Sequence, residues 1–338
     1  MPIVHEAIHA PEFAPGEWLN APPLSLAYLR GGVVLVDFWD YSCVNCLRTL
    51  PYLQAWWERY RALGFTLIGV HTPEFSFARQ TSNVQAAVER LGITYPVLLD
   101  HEHRTWQAWA NRYWPAKYLL DTRGVIRYFH FGEGNYTEIE TAIQHLLRDI
   151  APDAVLPPPL ALLRPSDAPD TVCYHATPEL YLGYQRGRLA NPEPINPNTV
   201  TQYRGHPVEV FDQAYLEGAW HCGAEGVTVA GDAAAITVRY HAKEVNLVAM
   251  PPTGVIGLLA IEQDGHPLTR ESCGADAQIM GKEAVVHLDT PRMYQLVVNP
   301  SYGTHELRLQ FNTPGVSAYV LTFITDCLAQ QQTEEQAA

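Results

Sequence analysis

Residues 33–38 (Val, Val, Leu, Val, Asp, Phe) are apolar and β-branched enough for a buried central strand, and five positions later the chain reaches Cys43 and Cys46. From there apolar residues recur at helical spacing through Leu47, Leu50, Leu53, Trp56, Tyr60 and Leu63. A strand, a Cys-x-x-Cys pair and a helix in immediate succession place two sulfurs at a helix N-terminus. Unpaired N–H groups and the positive end of the helix dipole favour a thiolate there, so Cys43 is expected to be an activated nucleophile at neutral pH. Two intervening residues let Cys46 reach Cys43 and close a disulfide. The same pair also suits zinc, but zinc needs a second ligand pair, and none stands at suitable spacing. Asp100, His101, Glu102 and His103 read as a solvated polar loop rather than a metal site. No metal is expected, and no cofactor beyond a redox-active Cys43–Cys46 disulfide.

The pattern along the chain predicts two domains. At 338 residues with 47% hydrophobic and 17% charged content, it is long enough for two ordinary cores. A net charge of −14 would be repelled by nucleic acid and by anionic membrane surfaces, which excludes both as partners. There is no apolar run of bilayer length, and the N-terminus lacks a basic region followed by an apolar one. The expectation is therefore a cytoplasmic chain, or a periplasmic or extracytoplasmic one if it is a fragment of an exported or membrane-fused form.

Within residues 1–150, positions 18–26 read as a short hairpin closed off by Gly31 and Gly32, and residues 65–70 as a second buried strand. A helix over 79–91, a strand over 95–99, a strand over 125–131 and a helix over 137–149 follow. Residues 151–169 carry Pro152, Pro157, Pro158, Pro159, Pro165 and Pro169, a density that predicts a stiff, extended linker. From 170 to 330 the periodicity changes. Short β-rich runs at 227–229, 235–240, 244–249, 257–261, 284–288, 294–298, 306–311 and 317–324 alternate with Pro- and Gly-containing turns. That spacing predicts a β-sandwich of jelly-roll type, ahead of a flexible tail over 331–338.

Several positions around the cysteines agree with one family. Asp37 lies six residues before Cys43, Phe38 and Trp39 precede the pair, and Pro51 follows Cys46 by five; in all of this the segment resembles thioredoxin. The helix and strand inserted over 79–99 are similar to the TlpA-like and peroxiredoxin-like branches of that fold. Over nearly its full length, the chain resembles the DipZ-type proteins of bacteria. In these, a TlpA-like thioredoxin domain precedes a jelly-roll domain similar to carbohydrate-binding modules, often behind a membrane domain that relays electrons. The matching stretches are Tyr41 through Pro51, Gly69 through Phe75, Trp114 through Tyr118 and Gly132 through Tyr136, with Thr177 through Tyr184, Ala242 through Val248 and Tyr302 through Leu307 in the second domain.

The resemblance implies an α/β thioredoxin-like fold, a cis-proline at Pro115 facing the sulfurs, and a buried Asp37 beneath them that takes a proton from Cys46. Cys43 would attack a client disulfide and Cys46 would resolve the mixed disulfide. Trp39 and Tyr41 are expected at the apolar rim that receives the client, Trp114 beside the cis-proline, and Glu74 as an acid that tunes the site. The implied partners are disulfide-containing proteins and a thiol electron donor, either a reductase or a membrane electron-relay protein. A peroxiredoxin-like thiol peroxidase would need Thr-x-x-Cys, and position 40 is Asp, whose charge would repel the developing anion. A further reading makes the second domain a glycan- or partner-binding module, with Tyr215, Trp220, Tyr302 and Tyr319 as possible stacking rings. Cys173, Cys222, Cys273 and Cys327 stand at irregular spacing and leave their pairing open.

Overall fold

A computed structural model describes residues 8–169, 171–205 and 208–328. The chain divides into two compact units between Asp170 and Thr171. The expected tail over 331–338 lies outside the described residues.

The first unit is a six-stranded sheet with helices. Strand β1 is Glu17–Leu19, β2 Val33–Trp39, β3 Phe65–His71, β4 Val97–Leu99, β5 Ala116–Leu120 and β6 Ile126–Phe131, in the order β1-β4-β3-β2-β5-β6. β2 runs parallel to β3 and antiparallel to β5, and all seven of its residues are buried. A strand enclosed on both sides explains why its sequence is a continuous apolar run rather than an alternating one. Residues 17–19 do not close a hairpin: β1 pairs antiparallel with β4, the distant edge strand, because β4 has a free edge once β3 is paired. One sheet face packs Val34, Val36 and Phe38 against Trp109 and Tyr118, so strand parity turns Asp37 to the opposite face.

Helix α1, Val44–Tyr60, buries Leu50, Leu53, Trp56 and Tyr60 and carries Pro51 inside it. A short 3-10 turn and Gly64, at φ 88°, end it and feed β3. Helix α2 is Thr81–Arg90 and α4 is Tyr136–Ile150; α3, Arg104–Ala108, begins where the sequence reads only as a polar loop. Its start is anchored by Asp100, whose carboxylate accepts from Thr105 N at 3.0 Å and Trp106 N at 2.8 Å. Gly69 permits a close approach: a methyl there would stand 2.9 Å from Trp39 Nε1 and 3.0 Å from Tyr95 Cε2.

The proline-rich segment is extended, but it lies along the first unit. Leu160 N donates to Glu140 Oε2 at 2.7 Å, Leu163 N to Tyr52 Oη at 2.7 Å, and Gln144 Nε2 to Pro157 O at 2.7 Å. Prolines remove donors, and the side chains of α1 and α4 supply partners to the carbonyls and the few N–H groups that remain.

The second unit is an antiparallel β domain. Its strands are β7 Leu180–Tyr181, β8 Val200–Tyr203, β9 Ala214–Cys222, β10 Val227–Met250, β11 Gly257–Gln263, β12 His266–Pro267, β13 Ala277–Met280, β14 Glu283–Leu288, β15 Arg292–Phe311 and β16 Ser317–Ile324. Three expected runs merge into β10 and two into β15. β10 changes neighbour along its length, from β9 to β16, through bulges near Ala242 and Glu244. Its register with β15 passes from Ala242↔Gly303 to Glu244↔Val298, so the pairing skips residues 299–302, which include Pro300. Bulges let one strand bend while its side chains keep filling a single core, so small and proline residues that read as turns stand within strands. Trp220, Tyr215 and Tyr319 are buried, which removes them as exposed stacking rings. Tyr302 is half-buried and stacks on Tyr174 at 4.6 Å.

Candidate active site

Cys43 is the N-cap of α1, and its Sγ accepts from Cys46 N at 3.3 Å. The Cys46 thiol donates to the same sulfur. Cys43 is half-buried and Cys46 buried, and both are free thiols here. The helix end thus supplies the two donors that favour a Cys43 thiolate. They are opposed: burial, then the negative charges of Glu74 and Asp40, push the Cys43 thiol up from its ordinary value. Burial and two carboxylates thus act against the lowering expected from the helix position. Burial, with the hydrogen bond to Cys43, pushes Cys46 well above the ordinary thiol range, and the Asp37 charge adds to this.

Asp37 sits directly across from Lys117 in the β2–β5 register, with 3.4 Å between Oδ1 and Nζ and both side chains buried. Burial pushes the Asp37 carboxyl up to about 6, with Lys117 holding it down. Lys117 escaped the sequence reading. The available signal was a lone cation inside the apolar run Ala116, Tyr118, Leu119 and Leu120, where an unpaired charge is untenable. Asp40, noted in the sequence only as an obstacle to peroxidase chemistry, is a buried organiser. Its Oδ1 accepts from Ser42 N at 2.6 Å and Ser42 Oγ at 2.5 Å, while Oδ2 accepts from Glu74 N at 2.9 Å. The cysteine loop and the loop after β3 are thereby held to one carboxylate. Its burial raises the Asp40 pKa.

Trp114–Pro115 is a cis peptide, Pro115 is buried, and Pro115 O accepts from Gly132 N at 2.8 Å. Ala116 pairs with Phe38, so Pro115 lies level with the end of β2, where the cysteine loop begins. Trp114 is half-buried, meets Trp106 in a tilted contact at 4.3 Å and donates from Nε1 to Thr72 O at 3.0 Å. Trp39 and Tyr41 do not form a rim. They are 0% and 1% exposed and flank the buried His71, Trp39 edge-on at 5.3 Å and Tyr41 stacked at 5.5 Å. The inward turn of the sheet face that carries Trp39 explains this. The exposed rings nearby are Tyr113, one residue before Trp114, and Phe131, which pairs with Ala116; their centroids are 5.2 Å apart. Among the described residues, no cluster of three or more His, Cys, Asp or Glu side chains is arranged to hold a metal.

Fold and site together define a thioredoxin-like domain with a Cys-x-x-Cys pair at a helix N-terminus. Residues 9–129 match the AhpC/TSA family and residues 177–323 the thioredoxin like C-terminal domain family. The chain is similar to DipZ: it is 38% identical to the Mycobacterium tuberculosis protein over 293 residues, 85% of this chain and 40% of that one. It thus spans about two fifths of the length of the DipZ proteins it matches. The thiol-disulfide oxidoreductase ResA of Geobacillus thermodenitrificans is 27% identical over 137 residues, 40% of this chain and 74% of that one. Among solved structures, a thiol-disulfide isomerase from Corynebacterium glutamicum aligns at 23% identity with a TM-score of 0.37, over 41% of this chain and 96% of its own.

Proposed function

We propose that the chain reduces protein disulfides with the Cys43–Cys46 dithiol. The observation that carries this reading is the paired geometry of the sulfurs: Cys43 caps α1 and accepts two hydrogen bonds from Cys46, and the charge of the buried, Lys117-paired Asp37 acts on Cys46. Cys43 thiolate attacks a client sulfur, and the other client sulfur leaves as thiolate. Cys46 then attacks Cys43 Sγ, releasing the reduced client and leaving the Cys43–Cys46 disulfide. Cys46 is protonated at neutral pH, and Asp37 is the acceptor for its proton. Lys117 keeps that carboxylate ionised near pH 7. The backbone at Pro115 pairs with the client chain, Trp114, Tyr113 and Phe131 offer it an apolar rim, and Glu74 tunes Cys43 by its charge.

Electrons return from a thiol donor, a reductase or a membrane electron-relay protein. Among the described residues no helix is long and apolar enough to cross a membrane. The Cys173–Cys327 disulfide of the second unit supports an oxidising, extracytoplasmic setting over the cytoplasmic one. The second unit acts as a docking module. Its mixed groove of about 540 Å³ sets Gln202, Arg204, Glu217, Arg308, Gln310 and Asn312 beside small apolar residues such as Ala233 and Ala235, and the polar side chains offer hydrogen bonds to a ligand such as a glycan. A peroxidase reading is weakened by Asp40 and Glu74, whose charges oppose an anion at Cys43.

The test is trapping. Cys46→Ser leaves a nucleophile that cannot be resolved and accumulates mixed disulfides with clients, whereas Cys43→Ser traps none. Equal trapping by both variants refutes the assignment of roles.

A further inference from the structure

We propose that the Cys173–Cys327 disulfide is a redox-active clasp and a substrate of the Cys43–Cys46 dithiol, in the same chain or in a second copy. The inference rests on the disulfide-reducing reading of that dithiol. Cys173 and Cys327 face each other in an isolated antiparallel bridge, 154 residues apart in sequence. Tyr174 N donates to Asp326 O at 3.0 Å and Leu328 N to Val172 O at 2.9 Å, so the bond staples the first and last described segments of the second unit.

Two observations distinguish this bond from a structural disulfide. The first is access. Cys173 is exposed, and its neighbours Val172, Tyr174 and Leu328 are 66%, 47% and 51% exposed, so a thiolate can approach its sulfur from solvent. Exposed disulfides are the labile and regulatory ones. The second is independence from the core. The buried cluster of this unit runs from Leu182 to Phe323 and contains neither Cys173 nor Cys327. Opening the bond therefore removes the covalent tie between residues 171–175 and 325–328 without uncovering the core. The ties that remain are non-covalent and peripheral: the two backbone hydrogen bonds of the bridge, Thr325 Oγ1 to Tyr174 O at 2.7 Å, Tyr302 Oη to His175 O at 2.8 Å, the Lys243–Asp326 ion pair at 2.9 Å, and the Tyr174–Tyr302 stack.

The step balances as ordinary exchange. Cys43 thiolate attacks the exposed Cys173 Sγ, the Cys173–Cys327 bond breaks, and Cys327 leaves as thiolate and takes a proton from solvent. Cys46, having given up its proton, attacks Cys43 Sγ and releases Cys173, which is protonated in turn. Cys43 and Cys46 are oxidised to a disulfide, and the clasp is reduced to two thiols by two electrons and two protons. The product is a second unit whose ends are released immediately after the boundary at Asp170.

The experiment uses full-length protein. A donor variant, Cys173→Ser with Cys327→Ser, is reduced, freed of reductant and mixed with an acceptor variant, Cys43→Ser with Cys46→Ser. Thiols are read by differential alkylation and peptide mass spectrometry. Alkylatable Cys173 and Cys327 are expected to appear in step with loss of the donor dithiol. In a Cys46→Ser chain the adduct is expected between Cys43 and Cys173, in a monomer if exchange is within one chain and in a dimer if it is between copies. In the unsubstituted chain, titration with dithiothreitol is expected to open the clasp at a less reducing poise than the one that reduces Cys43 and Cys46. A clasp still closed where that pair is fully reduced overturns the proposal, as does an adduct through Cys327. If the donor reduces insulin and leaves the clasp intact, this inference falls and the reductase reading stands. If it reduces neither, both fall.

Discussion

Replacing Asp37 by Asn removes the proton acceptor proposed for Cys46 while keeping its shape. With the carboxyl at about 6, about 90% of Asp37 is ionised at pH 7 and about 9% at pH 5, so resolution through this base should fall about tenfold across that interval. A positioned general base contributes on the order of 10²–10⁴ in rate, and Asp37→Asn should lose at least the lower figure at pH 7. The inflection near pH 6 should vanish with it, leaving only the thiol titration. Stopped-flow fluorescence with a disulfide substrate, from pH 5 to 9, measures both. Lys117→Met supplies the internal control, since loss of the cation should move the inflection above 6 rather than abolish it. Stability follows the same group. Its pKa is raised on folding, so its stabilising contribution is complete below about 3.8 and is lost as pH rises through about 6, about 3 kcal/mol in all. Urea melts of the wild type should therefore show a decline over that window that Asp37→Asn flattens. An unchanged inflection in Asp37→Asn would falsify the coupling of this carboxyl to the thiols.

Three further outcomes are expected. The Cys43–Cys46 couple should have a reduction potential of about −250 mV, because burial and the Glu74 and Asp40 charges leave the reduced thiolate without the stabilisation that makes strong oxidants; equilibration with glutathione buffers reading above about −150 mV would contradict a reducing role. Asp40→Asn should lower the pH at which Cys43 alkylates with iodoacetamide, by removing a charge that raises the thiol; no change would mean the charge is not felt at the sulfur. Gly69→Ala should cost about 1–3 kcal/mol, since its methyl meets Trp39 and Tyr95 at 2.9 and 3.0 Å, and an unaltered thermal midpoint would show that the pocket yields.

The sequence by itself determined the elements that depend on local spacing. The buried strand before Cys43, the helix after Cys46, its stop at Gly64 and the Asp121–Gly124 turn between β5 and β6 all follow from periodicity and backbone preference. The closeness of Cys43 and Cys46 follows as well, because residues three apart at a helix start lie within one turn. What the tertiary structure decided was every property that depends on neighbours distant in sequence. Lys117 meets Asp37 only because β5 docks antiparallel to β2, and Asp40 gathers the Glu74 loop only because β3 lies beside β2. Trp39 and Tyr41 turn inward around His71, leaving Tyr113 and Phe131 as the exposed rings. At Cys43, burial and the Glu74 and Asp40 charges oppose the lowering that its helix position alone predicts. In the second unit, hydrophobic alternation located the β-rich segments, while bulges decided that 227–250 and 292–311 are single strands. The division has one physical cause: dihedral preference and side-chain periodicity act within a few residues, whereas burial, charge pairing and strand register are set by whichever segments the folded sheet brings together.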